Sequence, residues 1–257
     1  AHSFPTRRSS DLEGKFISEM PIGERPHELD ELLDILWENV DLTGINPASG
    51  RHFGYIPGGG IFPTALADYL AAVTNRYAGM YFANPGAVRM ENQLIRWLCE
   101  QVGYPKEAHG NLTSGGSIAN LTAIVTARDK MGIKARVVEQ AVVYLTRQVH
   151  HCVQKALRIA GLGEAQVRYI PIDGHFRMDA EALRTQVEQD KAAGLRPFMV
   201  VGSAGTTDVG AIDPLDAIAD VAEANKIWFH VDGAYGGAFV LTPQDRKSTR
   251  LNSSHYS

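Results

Sequence analysis

The chain has 257 residues, 44% of them hydrophobic, enough for one large core or for one core with a small appendage. A formal net charge of -4 supplies no broad positive field, so nucleic acid is not an expected partner. Cys99 and Cys152 form no CxxC pair and no disulfide framework, which suits a reducing, cytoplasmic setting; the longest apolar runs, about ten residues, are too short to cross a bilayer, and no signal-peptide pattern opens the chain.

Residues 1–12 (AHSFPTRRSSDL) and 245–257 (DRKSTRLNSSHYS) are polar, aperiodic and joined abruptly to their neighbours. Both resemble translated adapter read-through and are expected to be non-native tails; ordinary disordered termini are the plainer alternative. Between them, residues 13–84 are expected to form an N-terminal helical segment. Leu29, Leu32, Leu33, Leu36 and Val40 recur at helical spacing over 26–40, behind Pro26 and early acidic residues. Residues 45–61 are turn-rich, with a Gly58-Gly59-Gly60 run. Helical periodicity returns over 62–78 through Leu66, Leu70, Val73 and Tyr77, and again over 87–102 after Pro85.

From residue 109 the pattern changes. A glycine turn at 113–117 leads into an apolar helix. Strand-like runs at 141–146, 167–172, 198–205 and 227–232 then alternate with helices at 151–160, 179–191 and 214–225. This alternation predicts an α/β domain over 85–244, a mostly parallel sheet sandwiched by helices, with sites at the carboxyl ends of the strands.

Candidate chemistry gathers at those ends. Thr113-Ser114-Gly115-Gly116-Ser117 opens a helix, where free N–H groups and the helix dipole suit a phosphate; a plain turn with an N-cap also fits, and the lysine of a GxxxxGK[ST] loop is absent. His150 and His151 follow the strand 141–146, where an imidazole stacks on a flat ring or moves a proton; a polar loop residue fits as well, and no Cys/His cluster suggests zinc. Gly205-Thr206-Thr207 ends an apolar strand, either to donate to a ligand or to cap the next segment. Asp232 ends the strand IWFHVD and begins the small-residue run GAYGG. A buried, unpaired carboxylate there is costly, and pairing with a protonated pyridine nitrogen would offset that cost; an exposed turn aspartate is the alternative.

Four blocks in this order, TSGGSIAN (113–120), QVHHCVQKA (148–156), AGTTDVGAIDPL (204–215) and HVDGAYGG (230–237), resemble the group II pyridoxal-phosphate amino-acid decarboxylases over roughly residues 25–244. The resemblance implies a fold-type I architecture and pyridoxal 5'-phosphate as cofactor. It implies that Gly116 and Ser117 receive the phosphate, that His150 stacks on the ring, and that Thr207 lies near the cofactor face. It assigns Asp232 to the pyridine nitrogen and Ala234 to the position beneath the ring. His52 and Phe53 resemble the segment lining the substrate entrance, although Arg51 stands where that pattern often has proline. No metal is implied.

The implied reaction is decarboxylation of an L-amino acid to an amine and carbon dioxide, by a homodimer. HVDGAYGG, with Tyr235, favours an aromatic substrate; glutamate and 2,4-diaminobutyrate are alternatives. The family's cofactor-anchoring lysine lies well beyond HVDGAYGG, so this chain is expected to be a truncated fragment, inactive by itself. An aminotransferase or carbon–carbon lyase of the same fold type, and a non-catalytic scaffold, are the competing readings.

Overall fold

The computed structural model describes residues 14–23, 26–52 and 58–242. The chain divides into two compact units, Ala1–Thr74 and Asn75–Ser257.

In the first unit, α1 (Lys15–Glu19) precedes α2 (Leu29–Leu36), which runs into a π turn over Trp37–Asp41; α3 (Phe62–Thr74) follows. Asp30 and Glu31 in the first turn of α2 complement the helix dipole. The sequence pattern places the first helix over 26–40, and the structure keeps its apolar stripe while loosening its last turn. The helix expected over 62–78 stops at Thr74, because Asn75 adopts a positive φ of 41° that a helix cannot propagate. Leu29, Leu33, Leu36, Trp37 and Val40 lie at helical spacing, and each is exposed.

The second unit opens with α4 (Pro85–Val102). Asn84 caps it, its Oδ1 accepting the Ala87 N–H at 3.2 Å, and Gly103 ends it in the left-handed region at φ 82°. Then come α5 (Gly116–Lys130), β1 (Ala141–Leu145), α6 (Cys152–Ile159), β2 (Gln166–Tyr169), α7 (Ala180–Ala192), β3 (Arg196–Ser203), α8 (Leu215–Asn225) and β4 (Trp228–Asp232). The strands form one sheet in the order β2-β1-β3-β4, every neighbouring pair parallel. Parallel neighbours need crossover connections, and α6, α7 and α8 supply them.

Both faces of the sheet are covered, so β1 reads AVVYL with every residue buried rather than alternating. Ala141, Val143 and Leu145 pack with Ile124 and Ala127 of α5 and with Val153, Ala156 and Leu157 of α6. The alternate residues Val142 and Tyr144 pack on the other side with Leu183 and Val187 of α7 and Ile218 and Val221 of α8. Tyr144, fully buried, donates to Asp190 Oδ2 at 3.0 Å, and Arg168 binds Asp190 Oδ1 at 2.9 Å, which joins β1, β2 and α7.

From β1 the chain moves to β2 on one side, and from β3 to β4 on the other. The direction of winding therefore switches between β1 and β3, and the strands carry their carboxyl ends to one edge, where sites lie in such sheets. That edge is locked. Asp213 is buried and accepts the N–H groups of Met178 (2.7 Å) and Ser203 (2.8 Å), fixing the end of β3. The Ala204 N–H donates to the Asp232 carbonyl at 2.9 Å, and a Cβ on Gly236 would stand 2.0 Å from the Ala204 oxygen. Only glycine allows this approach, so Gly236 lets the turn after β4 close against the end of β3.

Candidate active site

The crevice, with a volume of about 340 Å³, lies between the mouth of α5 and the end of β4. Thr113, Gly115, Gly116 and Asn120 line one side; His230, Asp232 and Ala234 line the other.

The α5 side is built from backbone. Gly115 sits at φ 144° and ψ 171°, a conformation open to glycine, and turns the chain into the helix without a side-chain cap. The N–H groups of Gly116 and Ser117 have no hydrogen-bond partner among the described residues. No acidic residue occupies the first turn, whereas Arg128 and Lys130 occupy the last, so nothing on α5 neutralises the positive end of its dipole. A Cβ at Gly116 would lie 3.2 Å from the Ala234 Cβ, which means that the missing side chain keeps the crevice open at this point.

The β4 side carries charge. Asp232 Oδ1 accepts the Ala234 N–H at 3.0 Å, and Oδ2 accepts from Asn120 Nδ2 at 3.0 Å. An ionised carboxylate has about four acceptor positions, so these two donors leave others free for a cation in the crevice. Asn120 is buried, and its Oδ1 lies 2.7 Å from His230 Nε2. Because its Nδ2 faces the carboxylate, its oxygen is the acceptor and His230 Nε2 carries the hydrogen. Burial pushes the His230 imidazole below its ordinary value, outweighing the opposite pull of the Asp232 charge. The ring is therefore neutral near pH 7.

A row of unpartnered N–H groups at a helix mouth suits a phosphate, and a carboxylate with free acceptor positions suits a protonated ring nitrogen. The sequence profile of the pyridoxal-dependent decarboxylase conserved domain matches residues 19–253. The chain belongs to this family. It is 35% identical over 249 residues to the aromatic-L-amino-acid decarboxylase of Bacillus atrophaeus, covering 96% of this chain and 50% of that protein. It is 35% identical over 193 residues to the L-2,4-diaminobutyrate decarboxylase of Rhizobium meliloti, covering 75% and 39%. Among solved structures, the glutamate decarboxylase domain of the diaminobutyrate-pyruvate transaminase and L-2,4-diaminobutyrate decarboxylase from Vibrio parahaemolyticus superposes with a TM-score of 0.86 at 30% identity, covering 95% of this chain and 55% of that one. The chain thus spans about half the length of these decarboxylases. The expected fold-type I α/β architecture is the observed one, and the family's cofactor is pyridoxal phosphate.

Of the residues singled out in the sequence, Gly116, Asp232 and Ala234 come together around the crevice. Ser117 follows Gly116 in the first turn of α5 and offers its free N–H from an exposed position. His150 is partly buried beside the start of α6, its Nδ1 accepting the Cys152 N–H at 3.3 Å and its ring 4.1 Å from that of His151. Thr207 is exposed in the turn after β3, while the neighbouring Thr206 is buried and accepts the Ala211 N–H at 3.1 Å. Neither His150 nor Thr207 belongs to the lining described above. His52 belongs to the first unit, and Phe53 lies outside the described residues. Among the described residues no group of three or more His, Cys, Asp or Glu side chains is placed to hold a metal ion, and no helix is long and apolar enough to cross a membrane.

Sequence reasoning assigned no role to Asn120 or His230. Both had a signal. Asn120 follows Gly116 by one helical turn, and His230 precedes Asp232 by the two-residue repeat of a strand, so each shares a face with a residue already chosen.

The depressed His230 value has a consequence for stability. Between the folded value and about 6.5, the unfolded chain binds a proton that the folded chain does not. Stability is therefore lost as pH falls through about 6.5, by at most about 1.4 kcal/mol per pH unit from this one group. His230→Gln, which keeps a donor for Asn120 but does not titrate, is expected to flatten this loss in thermal unfolding between about pH 7.5 and 5.5. An identical loss in both proteins would contradict the assignment.

Proposed function

We propose that the protein is a pyridoxal-phosphate-dependent carboxy-lyase that releases the carboxyl group of an L-amino acid as carbon dioxide. The observation that carries this reading is the crevice itself. It sets the Asp232 carboxylate across from Gly116, whose N–H group, like that of the next residue Ser117, has no hydrogen-bond partner among the described residues. In this reading, those N–H groups and the α5 dipole hold the phosphate. Ala234 packs beneath the ring, and Asp232 keeps a proton on its nitrogen. His150 stacks from above and Thr207 lies near the cofactor face. When bound, the cofactor takes up the electron pair left behind as the substrate carboxylate departs. The chain's own contribution is to orient the ring and hold its positive charge, which makes the ring a better electron acceptor.

An aromatic amino acid is the preferred substrate. The HVDGAYGG block supports this, with Tyr235 at the β4 turn, as does the likeness to an aromatic-L-amino-acid decarboxylase. Glutamate and 2,4-diaminobutyrate are the second reading, supported by the diaminobutyrate decarboxylases of similar identity.

In this reading the cofactor-anchoring lysine is not among these 257 residues, and the 257-residue chain alone turns over no substrate. No lysine lines the described crevice, and Lys226 sits in the turn before β4, at the opposite end of that strand from Asp232. The complete protein should decarboxylate an aromatic amino acid best in a panel scored by released carbon dioxide, and Asp232→Asn should lower kcat/KM by at least about a hundredfold. A preference for glutamate or diaminobutyrate above about tenfold would overturn the substrate choice. Repeated turnover by the 257-residue chain would overturn the position given to the lysine.

We further propose that the complete protein is a homodimer. The exposed stripe of Leu29, Leu33, Leu36, Trp37 and Val40 is the kind of face that is buried against a second copy. Sedimentation at micromolar concentration is expected to show a dimer, and Leu33→Asp with Val40→Asp to shift it toward monomer. A wild-type monomer would contradict this.

A further inference from the structure

Asn120 is needed neither for the phosphate cradle nor for a direct contact to the ring, yet it is 4% exposed and joins three elements of the site. It lies on α5, one turn inside Gly116. Its Nδ2 donates to Asp232 Oδ2 at the end of β4 (3.0 Å) and to Cys152 Sγ at the start of α6 (3.3 Å). Its Oδ1 accepts from His230 Nε2 at 2.7 Å. Both amide hydrogens are used, and only one orientation satisfies them. A reversed amide would set its oxygen against the Asp232 carboxylate and its N–H groups against the His230 N–H. The chain His230 to Asn120 to Asp232 is therefore directional and ends on the carboxylate.

The remaining donor to Asp232 is the Ala234 N–H, which belongs to the carboxylate's own turn and can follow it if the side chain rotates. Asn120 is the donor that comes from a separate, packed element. A protonated His230 would compete as a cation for the same carboxylate, and burial opposes that state.

We propose that Asn120 is the positioning residue for Asp232. It pins Oδ2 from the protein side, so that the carboxylate's remaining acceptor positions stay aimed into the crevice as an anion. His230 serves as the neutral donor that fixes the amide. The inference rests on the pairing of Asp232 with the cofactor ring nitrogen proposed above.

The test uses the complete protein loaded with pyridoxal phosphate carrying nitrogen-15 in the ring. The ring-nitrogen chemical shift is followed from about pH 6 to 9, together with the cofactor Kd. In the wild type the nitrogen is expected to stay protonated across this range. Asn120→Ala should lower its apparent pKa by about one pH unit or more and weaken the cofactor by about tenfold, a loss of one charge-assisted hydrogen bond. His230→Phe should act in the same direction by a smaller amount, because it frees the amide to turn while leaving Asn120 in place. That second variant carries the test if Asn120→Ala does not fold. A folded Asn120→Ala or His230→Phe protein with an unchanged ring-nitrogen titration overturns the proposal. Asp232→Asn separates the two levels. If it leaves the nitrogen protonated, the pairing with Asp232 is itself wrong; if it abolishes protonation while the other variants do not, only the role of Asn120 fails.

Discussion

The site depends on the cost of holding a carboxylate at the end of β4. Asp232 is partly withdrawn from water, and a charge so placed needs compensating partners. The fold meets this with oriented donors rather than with a cation. The Ala234 N–H comes from the turn, and the Asn120 amide reaches across from α5. No salt bridge to Asp232 occurs among the described residues; Arg168 of β2, which does pair with a buried carboxylate, serves Asp190 of α7. A resident arginine or lysine would fill the acceptor positions that a cationic ligand needs. Neutral donors leave them open.

Much of the architecture exists to bring α5 and β4 to that separation. Residues 120 and 232 lie 112 positions apart, and their contact exists because a parallel sheet returns each strand in the same direction, carrying successive strand ends to one edge. Small residues then set the spacing. Gly116 meets Ala234 where any longer pair would close the crevice, and Gly236 admits the Ala204 carbonyl at a distance no Cβ would permit. Glycine is required at these two positions for close approach as much as for backbone freedom.

The sheet and its helices were legible because their signals were local. Every strand of the second unit falls within a few residues of its apolar run. The strand expected over 167–172 ends instead at Tyr169: Ile170 still donates to the Leu145 carbonyl, and Pro171 cannot donate to a ladder at all. The glycine turn and Asp232 stood out in the sequence as well, because each breaks a pattern at a helix or strand end, whereas Ala234 was singled out only through the family resemblance; the structure brings Gly116, Asp232 and Ala234 to one crevice. The relay through Asn120 and His230 was less visible. Its partners are separated by 110 and 112 residues, and a polar residue inside an apolar helix reads as an ordinary exposed position until the fold shows what it faces. In the first unit the helices carry clear apolar stripes, yet none of their described residues is buried, so periodicity there marks an exposed apolar face.

The central claim is that one crevice holds both ends of the cofactor, the phosphate on α5 and the ring nitrogen on Asp232. A crystal structure of the complete protein grown with pyridoxal phosphate tests it most directly. The account predicts phosphate oxygens within about 3 Å of the Gly116 and Ser117 nitrogens and the ring nitrogen within about 3 Å of an Asp232 oxygen. Phosphate bound away from the α5 mouth, or a ring nitrogen facing solvent while Asp232 keeps only its Asn120 and Ala234 donors, would contradict it.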